Sequence, residues 1–425
     1  MLWRFTYRPA KEESGLSLRT DAQKIIDAAI TAALPDTAVK KALAGADFGK
    51  GKLVLVAIGK AAWSMAKAAC DLLGDKISDG VVITKYGHAQ GSLPNLRIYE
   101  AGHPVPDANS FAATEQAINL VQGLTADDTV LFLISGGGSA LFEKPLVPVP
   151  VLTDITEQLL ACGANITEIN TIRKRLSAVK GGKFAKLCEP ARVFSVVLSD
   201  IIGDPLDMIA SGPAYPDSST SAEALAVVHK YSLRIPEAAE KLLRTEPPAA
   251  LDNVTTKITG SVRQLCTAAE QTCRELGYKP IVLTASLTCE AREAGRFLAA
   301  IAQYHSNNSQ SLAFIAGGET VVHVKGKGKG GRNQELALAA AEGISGLTHT
   351  AVFSVGSDGT DGPTDAAGGY VDNFTKQKLA AKGINIFAAL DDNDAYHALQ
   401  AVDGLVITGP TGTNVNDLSV LLIKR

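Results

Sequence analysis

The chain has 425 residues, enough for two or three domains of ordinary size. Its 41 basic and 44 acidic residues give a formal net charge of −3, which argues against a nucleic-acid-binding surface. No apolar run approaches the ~18 residues of a membrane span, and 46% hydrophobic against 20% charged residues describes a folded chain.

The first stretch, residues 1–20, is polar and carries Glu12 and Glu13. It reads as an extension rather than a secretory or mitochondrial address. Residues 21–45 predict an Ala-rich helix, and Lys52 to Ile58 a strand stopped by Gly59. Helical spacing over 61–73 leads to a strand at 80–84, a helix at 109–122 and an apolar strand at 129–134. Residues 151–180 read as mostly helical, and 192–198 as a β-branched strand. Apolar strands without alternation, separated by helices, predict a parallel sheet covered on both faces. Prolines 213, 216, 236, 247 and 248 place a domain boundary between Ser211 and Asn253. A second series follows, with strands at 281–284, 311–316, 320–324, 350–356 and 404–407. Its helices are expected at 261–276, 288–304, 333–343 and 393–400. Six cysteines show neither CxxC nor Cys/His metal spacing, so the default is a soluble cytosolic protein.

In open α/β sheets ligands bind at the carboxyl ends of strands, and these strands end in small, polar or acidic residues. Gly59-Lys60-Ala61-Ala62 puts a lysine at a helix start, where bound phosphate would relieve its conflict with the helix dipole; a solvated lysine is the plain alternative. Ser135-Gly136-Gly137-Gly138-Ser139 can turn successive amides towards an anion, though it is neither a Walker A sequence nor the dinucleotide fingerprint. Ser199-Asp200, followed by Gly203-Asp204-Pro205 and Ser211-Gly212-Pro213, offers carboxylates for Mg²⁺ or for turn formation. Gly317-Gly318-Glu319 precedes a lysine–glycine run, Lys325 to Gly331, which reads as a mobile basic loop entering a helix at Arg332-Asn333. The two glycines before Arg332 indicate a close backbone approach. Asp358, Asp361 and Asp365 share one loop after residues 351–355, with Asp358 and Asp361 the leading members. His103, before Pro104, is a secondary candidate base. Asn170, Arg173, Ser177 and Lys180 fall on one helical face, which either lines a cleft for an acidic substrate or faces solvent.

Together these stretches, with Ala101-Gly102-His103-Pro104 and the closing run Thr411 to Leu418, resemble the class II glycerate 2-kinases. That family has also carried the label hydroxypyruvate reductase, and its C-terminal part is the MOFRL domain. The resemblance runs from about residue 21 to the C-terminus. It implies a two-domain α/β fold, with a large Rossmann-like α/β/α domain (21–240) and a smaller MOFRL-type domain (250–425), the active site lying in the interdomain cleft. It implies ATP-dependent phosphorylation of D-glycerate to 2-phosphoglycerate with Mg²⁺, and small-molecule partners without nucleic acid or membrane; a homodimer stays open. The positions matching the family's catalytic lysine and arginine are Lys60 and Arg332. Asp200 is the first choice for orienting the 2-hydroxyl, and Asp200 or Asp358 for Mg²⁺. Gly59, Ser135 to Ser139, His103, Arg173, Lys180, Glu319, Asn333 and Asp361 complete the expected substrate and nucleotide contacts. Cys289 stands where family members commonly have glycine, and the basic loop carries lysine where they often have arginine. An NAD(P)H-dependent reductase would need a dinucleotide fingerprint and a following acidic residue, which we do not find; a non-catalytic nucleotide- or sugar-acid-binding module would not need Lys60 and Arg332 together.

Overall fold

The computed structural model describes residues 12–425, with side chains from Leu18 onwards. It comprises two compact units: Pro35–Gly260, and Ser261–Arg425 together with the N-terminal segment ending at Leu34.

Pro35–Gly260 is built on six parallel strands: β1 (Leu53–Ile58), β2 (Ile77–Lys85), β3 (Leu96–Ala101), β4 (Thr129–Ile134), β5 (Arg192–Leu198) and β6 (Val254–Gly260). Their order, β3-β2-β1-β4-β5-β6, is the Rossmann order. The central strands β1 and β4 are buried at every position, which is why their sequences LVLVAI and TVLFLI show no alternation. On one face Phe132 packs tilted against Phe142 and Phe184. Strands β3 and β6 lie outside the strands expected from sequence. Both lie at sheet edges, and their exposed and half-buried residues dilute the apolar signal.

The proline-rich stretch does not form a linker. It contains the helices Ser221–Tyr231 and Glu237–Leu243, whose Ala224, Val227, Ala239 and Leu243 join a satellite core with Leu152, Ile155 and Ile172. The boundary falls later, after β6. The single helix expected over 21–45 is two, Glu12–Ala33 and Pro35–Leu43, because Pro35 cannot continue the first one's hydrogen bonding. The first of them packs with the C-terminal unit rather than with the parallel sheet. Its Asp21 accepts from Tyr278 Oη at 2.7 Å and Lys424 Nζ at 2.6 Å, and Arg19 donates to the carbonyls of Asp403 and Leu405. The residues read as an extension therefore include the start of a packed helix from Glu12, while residues 1–11 lie outside the described structure.

The second sheet runs β11 (Leu405–Val406), β10 (Gly368–Asp372), β9 (Thr350–Gly356), β12 (Asp417–Ile423), β8 (Leu312–Gly318), β7 (Lys279–Leu287). Only β7 and β8 pair in parallel; every other pairing is antiparallel. The C-terminal strand β12 fills the middle, buried at all seven positions. Residues 320–324 make one isolated bridge, Val321 to Glu290, instead of the expected strand, and Val324 is exposed. Among the described residues no helix is long and apolar enough to cross a membrane.

Candidate active site

In the parallel sheet the strand order reverses between β1 and β4, the topological switch point where ligands bind in such sheets. The loops leaving these two strands are laced together. The Lys60 amide donates to the Gly136 carbonyl at 2.9 Å, and the Ala61 amide to Ser135 Oγ at 3.1 Å. Ser135 Oγ donates in turn to the Ile58 carbonyl, which leaves the hydroxyl buried inside the lacing. Gly59 has φ 109°, and a Cβ there would overlap Ser135, so both the conformation and the approach require glycine.

Over these loops stand the candidate side chains. A Cβ on Gly136 would overlap the Asp200 carboxylate; one on Gly137 would lie 3.0 Å from His103 Cδ2 and 3.2 Å from Lys60 Cγ. Lys60, His103 and Asp200 are therefore gathered on the glycine loop by the ends of β1, β3 and β5. Burial, followed by the charges of Lys60, Lys85 and His88, lowers the His103 pKa and keeps its imidazole neutral. Ala210, Ser211 and Gly212 all have left-handed φ values (52°, 60° and 63°), and Ser211 Oγ lies 2.9 Å from Ser139 Oγ. Two adjacent non-glycine residues in that region mark local strain beside the site. His103, Gly137, Ser139, Arg173, Asp200 and Met208 line one cavity of about 250 Å³. That is smaller than the ~300–1,000 Å³ of clefts that take drug-sized ligands, so it suits a small polar molecule.

Arg173 and Lys180, expected on one helical face, part company. The helix Ile166–Arg175 ends at Leu176, so Lys180 lies beyond it. Arg173 lines the cavity, whereas Lys180 is wholly buried and donates to the Ser139 and Phe142 carbonyls at 2.8 and 2.9 Å. Its Nζ also lies 3.2 Å from Glu143 Oε2. Lys180 is thus a brace under the glycine loop and not a ligand contact. Burial lowers its pKa, and Glu143 opposes that shift.

In the C-terminal unit the helix Arg332–Gly343 presents Arg332 to two carboxylates. Nε and Nη2 donate to Asp417 at 2.6 and 3.0 Å, and Nη1 to Glu319 at 2.9 Å. Burial alone would lower the arginine's pKa, but Asp417 and Glu319 raise it, holding the group charged. Asp361 and Asn333 are structural rather than accessible. Asp361 accepts the Asn333 and Gln334 amides at the helix start, while Asn333 Nδ2 donates to Asp361 and its Oδ1 accepts from Ser354. A Cβ on Gly331 would overlap Asp361, which is the close approach expected there.

The lysine–glycine run is fastened rather than loose. Five consecutive amides, Lys325 to Lys329, donate to Asn393 Oδ1, Asp392 Oδ1, the Asp392 carbonyl and Asp394 Oδ1. Gly326 and Gly328 are glycines because the main chain presses on Asp392 and Asp394. Asp358 accepts the Thr360 amide in its own turn.

Among the described residues no three His, Cys, Asp or Glu side chains are grouped to hold a metal. Mg²⁺, however, is commonly held by one or two carboxylates plus substrate phosphates and water, and Asp200 beside the glycine loop fits that donor chemistry. The residues missed by sequence reasoning are Asp417 and Glu143. Asp417 opens the apolar run LSVLLI, which was not identified as a strand; an acidic residue at such a strand start was the available signal. Glu143 carried no signal in sequence.

A family model described as a domain of unknown function, DUF4147, matches residues 21–244, and the MOFRL family model matches residues 312–417. The chain is 51% identical to a D-glycerate 2-kinase from Thermotoga maritima, over 96% of this chain and 99% of that one. It is 39% identical to a glycerate 2-kinase from Pyrococcus horikoshii, over 96% and 98%. A crystal structure of a glycerate kinase from Thermotoga maritima superposes with a TM-score of 0.92, at 51% identity, covering 96% of this chain and all of that one.

Proposed function

The chain belongs to the MOFRL-domain glycerate 2-kinase family, and from that premise we propose that it transfers the γ-phosphoryl group of ATP to the 2-hydroxyl of D-glycerate. The observation that supports this most is the assembly of Lys60, His103 and Asp200 on the glycine loop at the sheet's switch point. It coincides with full-length similarity to relatives named for this activity.

Phosphoryl transfer rests on positioning and on stabilising charge that spreads over the moving group's oxygens. The flexible cationic stem of Lys60 follows that charge as it moves towards the bridging oxygen. Its own main chain stays tied to Gly136. Within its own unit, Arg332 keeps one edge of its guanidinium against Asp417 and its Nη1 on Glu319, which together fix the plane of its fork. Asp200 orients the acceptor hydroxyl, and neutral His103 is a second group able to accept its proton. Mg²⁺, when bound, would neutralise phosphate charge, with Asp200 as its donor. The cavity's volume of about 250 Å³ is ample for a three-carbon acid such as glycerate.

The test is ADP release by the purified protein with Mg-ATP and D-glycerate, with the product identified by phosphorus NMR. D-glycerate-dependent ADP release with 2-phosphoglycerate as product supports the proposal. No ADP release, with NADPH oxidised on hydroxypyruvate, rejects it.

A further inference from the structure

We infer that Arg173 is the receptor for the carboxylate of the acceptor substrate, and that the buried Glu143–Lys180 pair behind the glycine loop positions it. The inference rests on the acid-kinase reading and specifies how the acceptor lies in its cavity.

The starting point is a guanidinium with no hydrogen-bond acceptor among the described residues. Arg173 lines the cavity with its side chain only 19% exposed, and its one ion pair among the described residues is with Glu143, Nη2 lying 4.0 Å from Oε2. That is an ion-pair distance and not a hydrogen bond. Arginine carries five N–H donors in a rigid fork, and here the fork opens on the cavity, where a bound anion can accept from it. Glu143 is the mirror case. It is 1% exposed, and neither carboxylate oxygen has a hydrogen-bond partner.

Charge counting gives the direction. Glu143 has Arg173 and Lys180 within ion-pair distance and Lys183 further off, and it can balance only one of them. Lys180, the nearer at 3.2 Å, is wholly buried and anchored on the Ser139 and Phe142 carbonyls. With Lys180 neutralised in this way, the cluster retains the positive charge of Arg173, and Arg173 is the member that reaches the cavity. A planar, bidentate anion is the partner that satisfies a planar fork. Asp200, on the same cavity, adds negative charge and repels a second carboxylate. The acceptor's carboxylate therefore belongs at Arg173 and its hydroxyls at Asp200 and His103. Glu143 is a positioning residue: its charge draws the guanidinium back towards the wall without engaging its hydrogens.

The experiment compares D-glycerate with its neutral amide, D-glyceramide, as acceptors for the wild type, Arg173→Met and Glu143→Gln. The wild type is expected to prefer D-glycerate by on the order of 100-fold in kcat/KM, as charge-assisted hydrogen bonds imply. Arg173→Met should erase that preference through KM for D-glycerate, leaving KM for ATP unchanged. A retained preference in Arg173→Met overturns the inference while leaving the kinase assignment intact. A wild type that phosphorylates neither acceptor defeats the kinase assignment itself. Glu143→Gln should raise KM for D-glycerate about tenfold, again without moving KM for ATP. An unchanged or lower KM for D-glycerate removes Glu143 from the positioning role. Should that buried substitution prevent folding, Arg173→Met, on the cavity wall, decides the carboxylate site alone.

Discussion

Arg332 is gripped edge-on by Asp417: Nε and Nη2 donate to its two carboxylate oxygens at 2.6 and 3.0 Å. Asp417 sits at the start of the central strand β12, buried at every position, so a wholly buried strand carries the residue that aims the arginine. Burial raises the Asp417 pKa and Arg332 opposes that shift, so each partner stabilises the other's charge. Asp417→Asn keeps the shape but replaces one acceptor with a donor facing the guanidinium. We expect kcat to fall by about 10- to 100-fold, with thermal stability reduced by only a few degrees. Arg332→Lys should cost at least as much, because an ammonium cannot hold Asp417 with two parallel bonds. Steady-state kinetics checks both, and an unchanged kcat in Asp417→Asn removes it from the positioning role.

Lys60 offers a cleaner separation of chemistry from folding. The link between its loop and the glycine loop is made by its main-chain amide, not by its ammonium. Lys60→Ala should leave the unfolding midpoint within a degree or two and reduce kcat by about 10³-fold, the scale seen when a group stabilising transition-state charge is lost. Calorimetry beside turnover assays reads the two effects. A fall in both together would mean that the side chain also holds the loops.

Much of the first sheet was legible because its central strands are buried on both faces and bounded by glycine or polar residues. The acidic and glycine-rich strand ends were also legible, since chemistry and sharp turns use the same residue types. The sequence could not reveal whether a candidate's polar atoms are already engaged. Asn333 and Asp361 carry suggestive side chains, yet they satisfy one helix start and each other. Lys180 shared Arg173's helical spacing on paper, but the helix ends between them. The lysine–glycine loop shows the same limit, for its glycines answer to Asp392 and Asp394, more than sixty residues away. Asp417 lies in the closing run Thr411 to Leu418, but its role is not legible there, because the apolar run after it completes a sheet whose other members are distant in sequence.

Gly136 tests whether the glycine loop must touch Asp200. A Cβ on this residue would occupy the space of the Asp200 carboxylate, so Gly136→Ala has to push that side chain or the loop aside. The expected cost is about 1–3 kcal/mol of stability, as for other overpacked sites, with a loss of at least 100-fold in kcat/KM. Gly123, whose missing Cβ faces open space at φ 74°, serves as a control. Gly123→Ala should cost about 1 kcal/mol from its left-handed backbone alone and leave kcat untouched. Equal kinetic losses in the two variants would show that the loop's approach to Asp200 has no special role.

Asp361 gives a prediction about pH. Burial pushes its pKa up to about 7, against the Asn333 and Gln334 amides, which lower it. The folded state therefore binds this proton more tightly than the unfolded chain, whose aspartates titrate near 3.9. Between those values the folded protein holds more protons, so stability falls as pH rises. The contribution is complete below about pH 4 and is lost as pH climbs through 7. A shift of roughly three units corresponds to at most about 4 kcal/mol across that window. Asp361→Asn cannot titrate and should flatten part of the slope between pH 5 and 8. Because Asp417 is shifted in the same direction, some slope should remain. At low pH the variant should be less stable by about 1 kcal/mol, since its amide nitrogen cannot accept the Gln334 amide that Asp361 accepts at 2.8 Å. Urea unfolding at pH 5, 6, 7 and 8 for both proteins measures the difference. Parallel stability curves would mean that Asp361 is ionised throughout this range, and that its two amide hydrogen bonds and Arg332 outweigh its burial.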